Sequence, residues 1–155
     1  MKAQDAAWRV LASHWDGGLP VNPVRIARSL GVRVVEVDDP TVSGEYRNDG
    51  RTGPTISVNG RDSALRKRFT VAHELGHHAL DHGPRFRDPA TNYSLFNFDP
   101  KEAAANHFAA ELLMPATLLR HWVIRKAVYD LKELADVFQV SQQAMRFRLK
   151  NMGLL

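Results

Sequence analysis

Three residues in one five-residue run are spaced for metal chemistry: His73, Glu74 and His77, in the order His-Glu-Leu-Gly-His. On an α-helix, residues four apart sit one turn above each other on the same face, so the two imidazoles can converge on one ion at about 2.0–2.1 Å. Glu74 stands beside that face. It is too close in sequence to be a comfortable third ligand, but it can reach a water at the ion and take its proton, the division of labour of a metal-assisted hydrolase. The plainer alternative is a pair of surface or hydrogen-bonded core histidines, and a third ligand would weigh against it.

Candidates for that ligand are Glu102, His107, Glu111 and His121 downstream, with His78 and His82 nearer. A rotation of roughly 100° or more takes His78 and His82 off the His73/His77 face, which predicts that both are exposed. Glu102 and Asn106 share one face of the next predicted helix, whereas Glu111 points roughly the opposite way, so only one of the two glutamates can face the ion. Glu102 is the better candidate, because Asn106 one turn on offers an oxygen to the Nδ1 of a ligating histidine. The chain contains no cysteine, so a transition metal must rest on imidazole and carboxylate. Such a set suits zinc, with manganese as the alternative.

The elements that must position these residues follow from periodicity and punctuation. With 155 residues, 44% hydrophobic and 25% charged, the chain fits one globular domain spanning residues 1–155. Residues 3–15 read as an amphipathic helix carrying Ala7, Val10, Leu11 and Trp15, and Asn22, Pro23 and Gly31 bound a second short helix. The β-branched run Val32–Val37 predicts a strand, and two more, roughly 42–47 and 54–59, flank the turn Asn48-Asp49-Gly50. Asp62 is placed to cap the long helix that carries the histidines to about Asp81. Residues 83–98 show no clear period and are rich in aromatics (Phe86, Tyr93, Phe96, Phe98), which suits either a lid over the site or a loop pinned to the core. Asp99 and Pro100 start the helix through about Leu113, and further helices follow Pro115, Asp130 and Ser141. Helices, a small sheet, then helices predict an α+β domain.

The run Arg68-Phe69-Thr70-Val71-Ala72-His73-Glu74-Leu75-Gly76-His77, followed by Glu102 and then by Ala105-Asn106-His107-Phe108-Ala109-Ala110-Glu111-Leu112-Leu113-Met114-Pro115, resembles the ImmA/IrrE family of metallo-endopeptidases in order and spacing. A weaker likeness extends over residues 23–31 and into the last helices. The resemblance implies a zincin-like domain of the gluzincin type, with a small, mainly antiparallel sheet packed on the active-site helix and additional C-terminal helices. It implies His73, His77 and Glu102 as zinc ligands and Glu74 as general base. It also implies the substrate class, since family members of known role cleave a helix-turn-helix repressor, of the XRE type, and thereby release its target genes. One departure is Ala104, where the family commonly carries a second acidic residue.

Residues 134–145 resemble a helix-turn-helix within a C-terminal segment 130–153, with Ser141 capping a helix that bears Arg146, Arg148 and Lys150. Gln139 stands where glycine is usual, and Ala144, Met145, Phe147 and Leu149 call for burial, so packing is favoured over DNA binding. A net charge of +4 is a weak signal for nucleic acid. Met1–Trp15 lacks the apolar core of a secretory signal and no segment reaches transmembrane length, which predicts a cytoplasmic protein without a membrane partner. Two other functions compete with proteolysis: a non-catalytic partner that binds a repressor or toxin, and a DNA-binding regulator. For a peptidase, residues 55–59 are the expected edge for a substrate strand, and Tyr93 or His121 the expected oxyanion donor.

Overall fold

A computed structural model describes residues 1–89 and 99–155. Helix α1 (Ala3–His14) buries Ala3, Ala6, Ala7, Val10 and Leu11 along one stripe, and α2 (Pro23–Ser29) is capped by the Asn22 side chain, which accepts from Arg25 N at 3.1 Å. Strands β1 (Arg33–Val37), β2 (Val42–Arg47), β3 (Thr55–Asn59) and β4 (Arg85–Pro89) form a sheet in the order β1-β3-β2-β4. The β1/β3 pairing is parallel, and β2 is antiparallel to both β3 and β4. The α+β class with a mainly antiparallel sheet is therefore what the chain adopts.

Two expectations need correcting. Strand β3 is interior, paired on both sides, so residues 55–59 offer no free edge to a substrate. The turn at Asn48–Gly50 predicts a β2/β3 hairpin, but no local signal reveals that β1 returns beside β3. Residues 85–89, expected in a loop, form the edge strand β4, where Tyr46 stands opposite Phe86. Tyr93, Phe96 and Phe98 lie outside the described residues, so their expected roles as lid, anchor or oxyanion donor stay with the sequence.

Helix α3 (Ala64–Ala79) carries the candidate site and is gripped from two sides. Its N-cap is Ser63, whose Oγ accepts from Arg66 N at 3.2 Å, and not Asp62, whose carboxylate instead meets the Arg66 guanidinium at 3.4 Å. On one side β2 crosses at Gly44, where a Cβ would collide with the Thr70 methyl and come within 3.3 Å of Glu74. On the other side α4 (Pro100–Leu113) crosses at Gly76, where a Cβ would lie 3.1 Å from Ala105 Cα and 3.2 Å from the Phe108 Cβ. The two glycines let neighbouring backbones approach more closely than any side chain would allow.

The chain ends in α5 (Ala116–Arg120), a π-helical turn (His121–Arg125), α6 (Leu131–Phe138) and α7 (Gln142–Asn151). Between α6 and α7, Gln139 takes the left-handed conformation (φ 52°, ψ 55°) usually left to glycine, and its side-chain amide donates to Asp136 O at 2.6 Å. Arg68 of α3 steadies this turn, donating to Gln139 O at 3.0 Å, Phe138 O at 3.4 Å and Val21 O at 2.8 Å. Met145 and Leu149 are buried as expected, whereas Phe147 is exposed. Arg148 also points inward, its Nε donating to Met114 O at 3.1 Å and its Nη2 lying 2.8 Å from Glu111 Oε1. Arg146 and Lys150 remain exposed. No helix among the described residues is long and apolar enough to cross a membrane.

Glu111 and Arg148 are both buried, and Trp8 Nε1 donates to the second oxygen of Glu111 at 3.2 Å. Removing one member of a buried charge pair strands the other without compensation. Glu111→Ala is therefore expected to cost about 3–5 kcal/mol in urea unfolding, while leaving the metal content of the folded fraction unchanged. A loss of metal at full stability would reassign Glu111 to the site.

Candidate metal centre

Helix α3 turns His73 and His77 to one face, with their rings 4.9 Å apart between centroids, and both are wholly buried. Across the Gly76 crossing, the first turn of α4 presents Glu102. Its Oε2 lies 3.0 Å from His73 Nε2 and its Oε1 lies 2.9 Å from His77 Nε2. One donor atom from each of the three residues falls within 4.8 Å of the others. Asp99 caps α4 by accepting from Lys101 N at 2.9 Å, and the positive end of the helix dipole favours an ionised Glu102 beside it.

The donor chemistry fits a first-row metal ion. Asn106 Oδ1 accepts from His73 Nδ1 at 2.7 Å, so in neutral His73 the free electron pair is on Nε2, facing Glu102. His77 Nε2 is buried and lies 2.9 Å from Glu102 Oε1. With the electron pair of each neutral ring on Nε2, two pairs face one carboxylate and repel it unless a cation lies among them. Bonds of about 2.1 Å meeting at a tetrahedral ion hold their donor atoms about 3.4 Å apart, a spacing these three residues can reach, since their donor atoms all lie within 4.8 Å of one another. Burial pushes the His77 imidazole below its ordinary pKa; Glu102 opposes this and the neighbouring His73 adds to it. At neutral pH the ring is thus the uncharged species that donates to a metal.

Glu74 lies beside this trio, wholly buried, and among the described residues neither of its carboxylate oxygens has a hydrogen-bond partner. The space beside its stem and Oε1 is kept open by Gly44 of β2, where a Cβ would come within 3.3 Å of both. A buried carboxylate is costly unless something polar comes to meet it.

The remaining candidates are sorted clearly. Glu111 serves the ion pair with Arg148, and His107 and His121 are exposed. His78 and His82 are off the metal face, as helical rotation predicts, but neither is fully exposed. Tyr46 OH and His78 Nδ1 are 2.8 Å apart, and burial both raises the phenol and lowers the imidazole, so the phenol donates. His82 Nδ1 lies 2.8 Å from His77 Nδ1. Phe86 of β4 stacks on the His77 ring at 4.0 Å and 9°. Neither contact was visible in the helical wheel, because one arises after the helix ends and the other from a strand the sequence did not announce.

A family model described as the IrrE N-terminal-like domain, a peptidase family, matches residues 27–150. The chain belongs to the ImmA/IrrE family. It is 32% identical over 105 residues to the uncharacterized immunity region protein 2 of Bacillus phage phi105, an alignment covering 66% of this chain and 61% of that protein. A solved structure titled Mycobacterium tuberculosis transcriptional regulator superposes with a TM-score of 0.68 and 19% identity, covering 95% of this chain and 46% of that one. At that identity the likeness speaks for the fold alone. The matched stretch thus spans less than two thirds of the length of both, 61% of the phage protein and 46% of the solved chain. Membership makes this an ImmA/IrrE metallopeptidase-family chain in which two histidines and a glutamate can hold a metal ion. Ala104, where the family commonly has an acid, packs against the core and adds no donor to the cluster.

His73→Ala, His77→Ala and Glu102→Ala are each expected to abolish most metal binding, read by elemental analysis of purified protein. Asn106→Ala should weaken affinity by about 10–100-fold without unfolding the chain. Unchanged affinity in that variant would remove Asn106 from the site.

Proposed function

We propose that this chain is a zinc-dependent endopeptidase, with His73, His77 and Glu102 as the metal ligands and Glu74 as the general base. Residues 1–155 act as one peptidase domain, and manganese is the alternative metal. The observation that carries this reading is Glu74: a purely structural metal site has no use for a buried carboxylate beside its ligands that pairs with none of the described residues. Bound zinc would supply Lewis acidity, polarising the scissile carbonyl and making water a better acid.

The residues of the chain supply the remaining work. A Glu74 oxygen takes a proton from the attacking water as the water oxygen bonds to the carbonyl carbon. The same oxygen then returns the proton to the amide nitrogen as the C–N bond breaks, so the carboxylate is regenerated. Asn106 keeps the His73 ring oriented throughout. The sheet edge nearest these groups is β4, whose Phe86 lies on His77, and a substrate segment added as a strand along β4 would run past the site. This replaces the expectation for residues 55–59.

The proposed substrate is a helix-turn-helix repressor, cut to release its target genes in the cytoplasm. Family membership and the phage immunity-region relative support that class. Arg148 is turned into the protein, which leaves the helix-turn-helix-like segment a poor DNA reader.

Glu74→Gln should retain zinc and retain any bound repressor yet lose cleavage, because glutamine has the same shape but cannot accept the proton. Wild type and variant would be mixed with the repressor encoded nearest the gene, with zinc or manganese added, and the products sized by mass spectrometry. One cut made by wild type alone supports the proposal. Tight binding with no cut under any metal would favour the non-catalytic partner, and no contact at all would remove the repressor as substrate.

A further inference from the structure

Helix α3 stops in a way that turns the chain back onto its own metal site. Asp81 takes the left-handed conformation (φ 53°), Asp81 N donates to His78 O at 3.1 Å, and His82 N donates to His77 O at 3.1 Å. These two bonds define a Schellman turn, which ordinarily seats an apolar side chain at the His82 position against another at the His77 position. Aspartate is among the few residues that visit this backbone region at modest cost. Here both contacting side chains are imidazoles, with ring centroids 5.1 Å apart and Nδ1 atoms 2.8 Å apart.

Two nitrogens at that distance must be one donor and one acceptor. If His77 ligates through Nε2, which faces Glu102, its proton sits on Nδ1. His82 Nδ1 is then the acceptor and His82 carries its own proton on Nε2. The turn is held in place from α4, since Lys101 Nζ, adjacent to Glu102, donates to His82 O at 3.2 Å. Phe86 closes the other face of His77 and lies 5.8 Å from the His82 ring.

We propose that His82 is a positioning residue of the metal centre, accepting the Nδ1 proton of His77 and so fixing the ring and tautomer in which His77 Nε2 faces the ion. It does for His77 what Asn106 does for His73. The inference rests on the metal-binding reading of His73, His77 and Glu102.

The test is zinc affinity of the full chain, measured by competition with a chromogenic chelator, together with the visible spectrum of the cobalt-substituted protein. His82→Leu keeps the apolar contact of the turn but removes the acceptor, and His82→Asn places an Oδ1 where Nδ1 was. The leucine variant should bind zinc about 10–100-fold more weakly with an altered cobalt spectrum, and the asparagine variant should recover most of the affinity. Melting of the metal-free proteins separates loss of fold from loss of metal. Wild type supplies a check that needs no variant: long-range nitrogen NMR of the zinc-loaded protein should find the proton on Nδ1 of His77 and on Nε2 of His82. Wild-type affinity in His82→Leu, or a proton on Nδ1 of His82, overturns the proposal while leaving the metal site intact. If wild type itself takes up neither zinc nor manganese, the metal reading falls and this inference with it.

Discussion

At Gly76 the backbone of α4 occupies the space a side chain would need: Ala105 Cα would lie 3.1 Å from a Cβ there and Ala105 O 3.2 Å. A mid-helix glycine costs about 1 kcal/mol of helix stability against alanine, so its presence answers a packing demand. The close crossing brings the first turn of α4 against the last turns of α3, and this sets Glu102 within 3.0 Å of both imidazoles. Leu75, Ala105, Phe108 and Ala109 are buried around the contact, so the apolar core itself holds the donor atoms together.

The opposite side of α3 meets a second close approach, at Gly44, and the two differ in what they accomplish. Gly76 gathers ligand atoms that could share a cation, whereas Gly44 leaves room beside Glu74, a carboxylate with no hydrogen-bond partner among the described residues. The helix is thus held between two close approaches, one beside the candidate ligands and one beside Glu74. Such pre-positioning lowers the reorganisation needed when a proton moves. The packing also excludes water from the rear of the site, since Val71, Ala72 and Leu75 on α3 are buried beneath it.

What the sequence disclosed and what it hid divide along the range of the interactions. His73, Glu74 and His77 are legible because helical periodicity is local, and the choice of Glu102 over Glu111 follows from the same 100° step within α4. The Asn106 contact was legible for that reason too. His82 was not, because its position depends on a left-handed residue at Asp81 that reverses the chain, and helical rotation cannot be continued past such a point. Strand order was hidden because the parallel β1/β3 pairing depends on contacts between segments separated by β2. Strand β4 was hidden because Arg85-Phe86-Arg87 is too short and too charged to announce a strand. It pairs with β2, and there Glu45 lies between the two arginines, 3.3 Å from Arg85 and 3.8 Å from Arg87, and offsets their charge.

The same distinction governs the C-terminal helices, where charge on paper and charge in the fold part company. A helix bearing Arg146, Arg148 and Lys150 reads as a cationic surface, yet Arg148 is inside, facing Glu111. Arg68, half-buried on the site helix, is bound to three backbone carbonyls, two of them at the end of α6, where the helix dipole is negative. Burial lowers its pKa without bringing a guanidinium near neutrality, so it remains a cation and the carbonyls compensate it. The two arginines therefore join α6 and α7 to α3 and α4, the helices that carry His73, His77 and Glu102. Positive charge that a count assigns to the surface acts here as internal mortar, and the C-terminal helices are tied to the two helices of the candidate metal site.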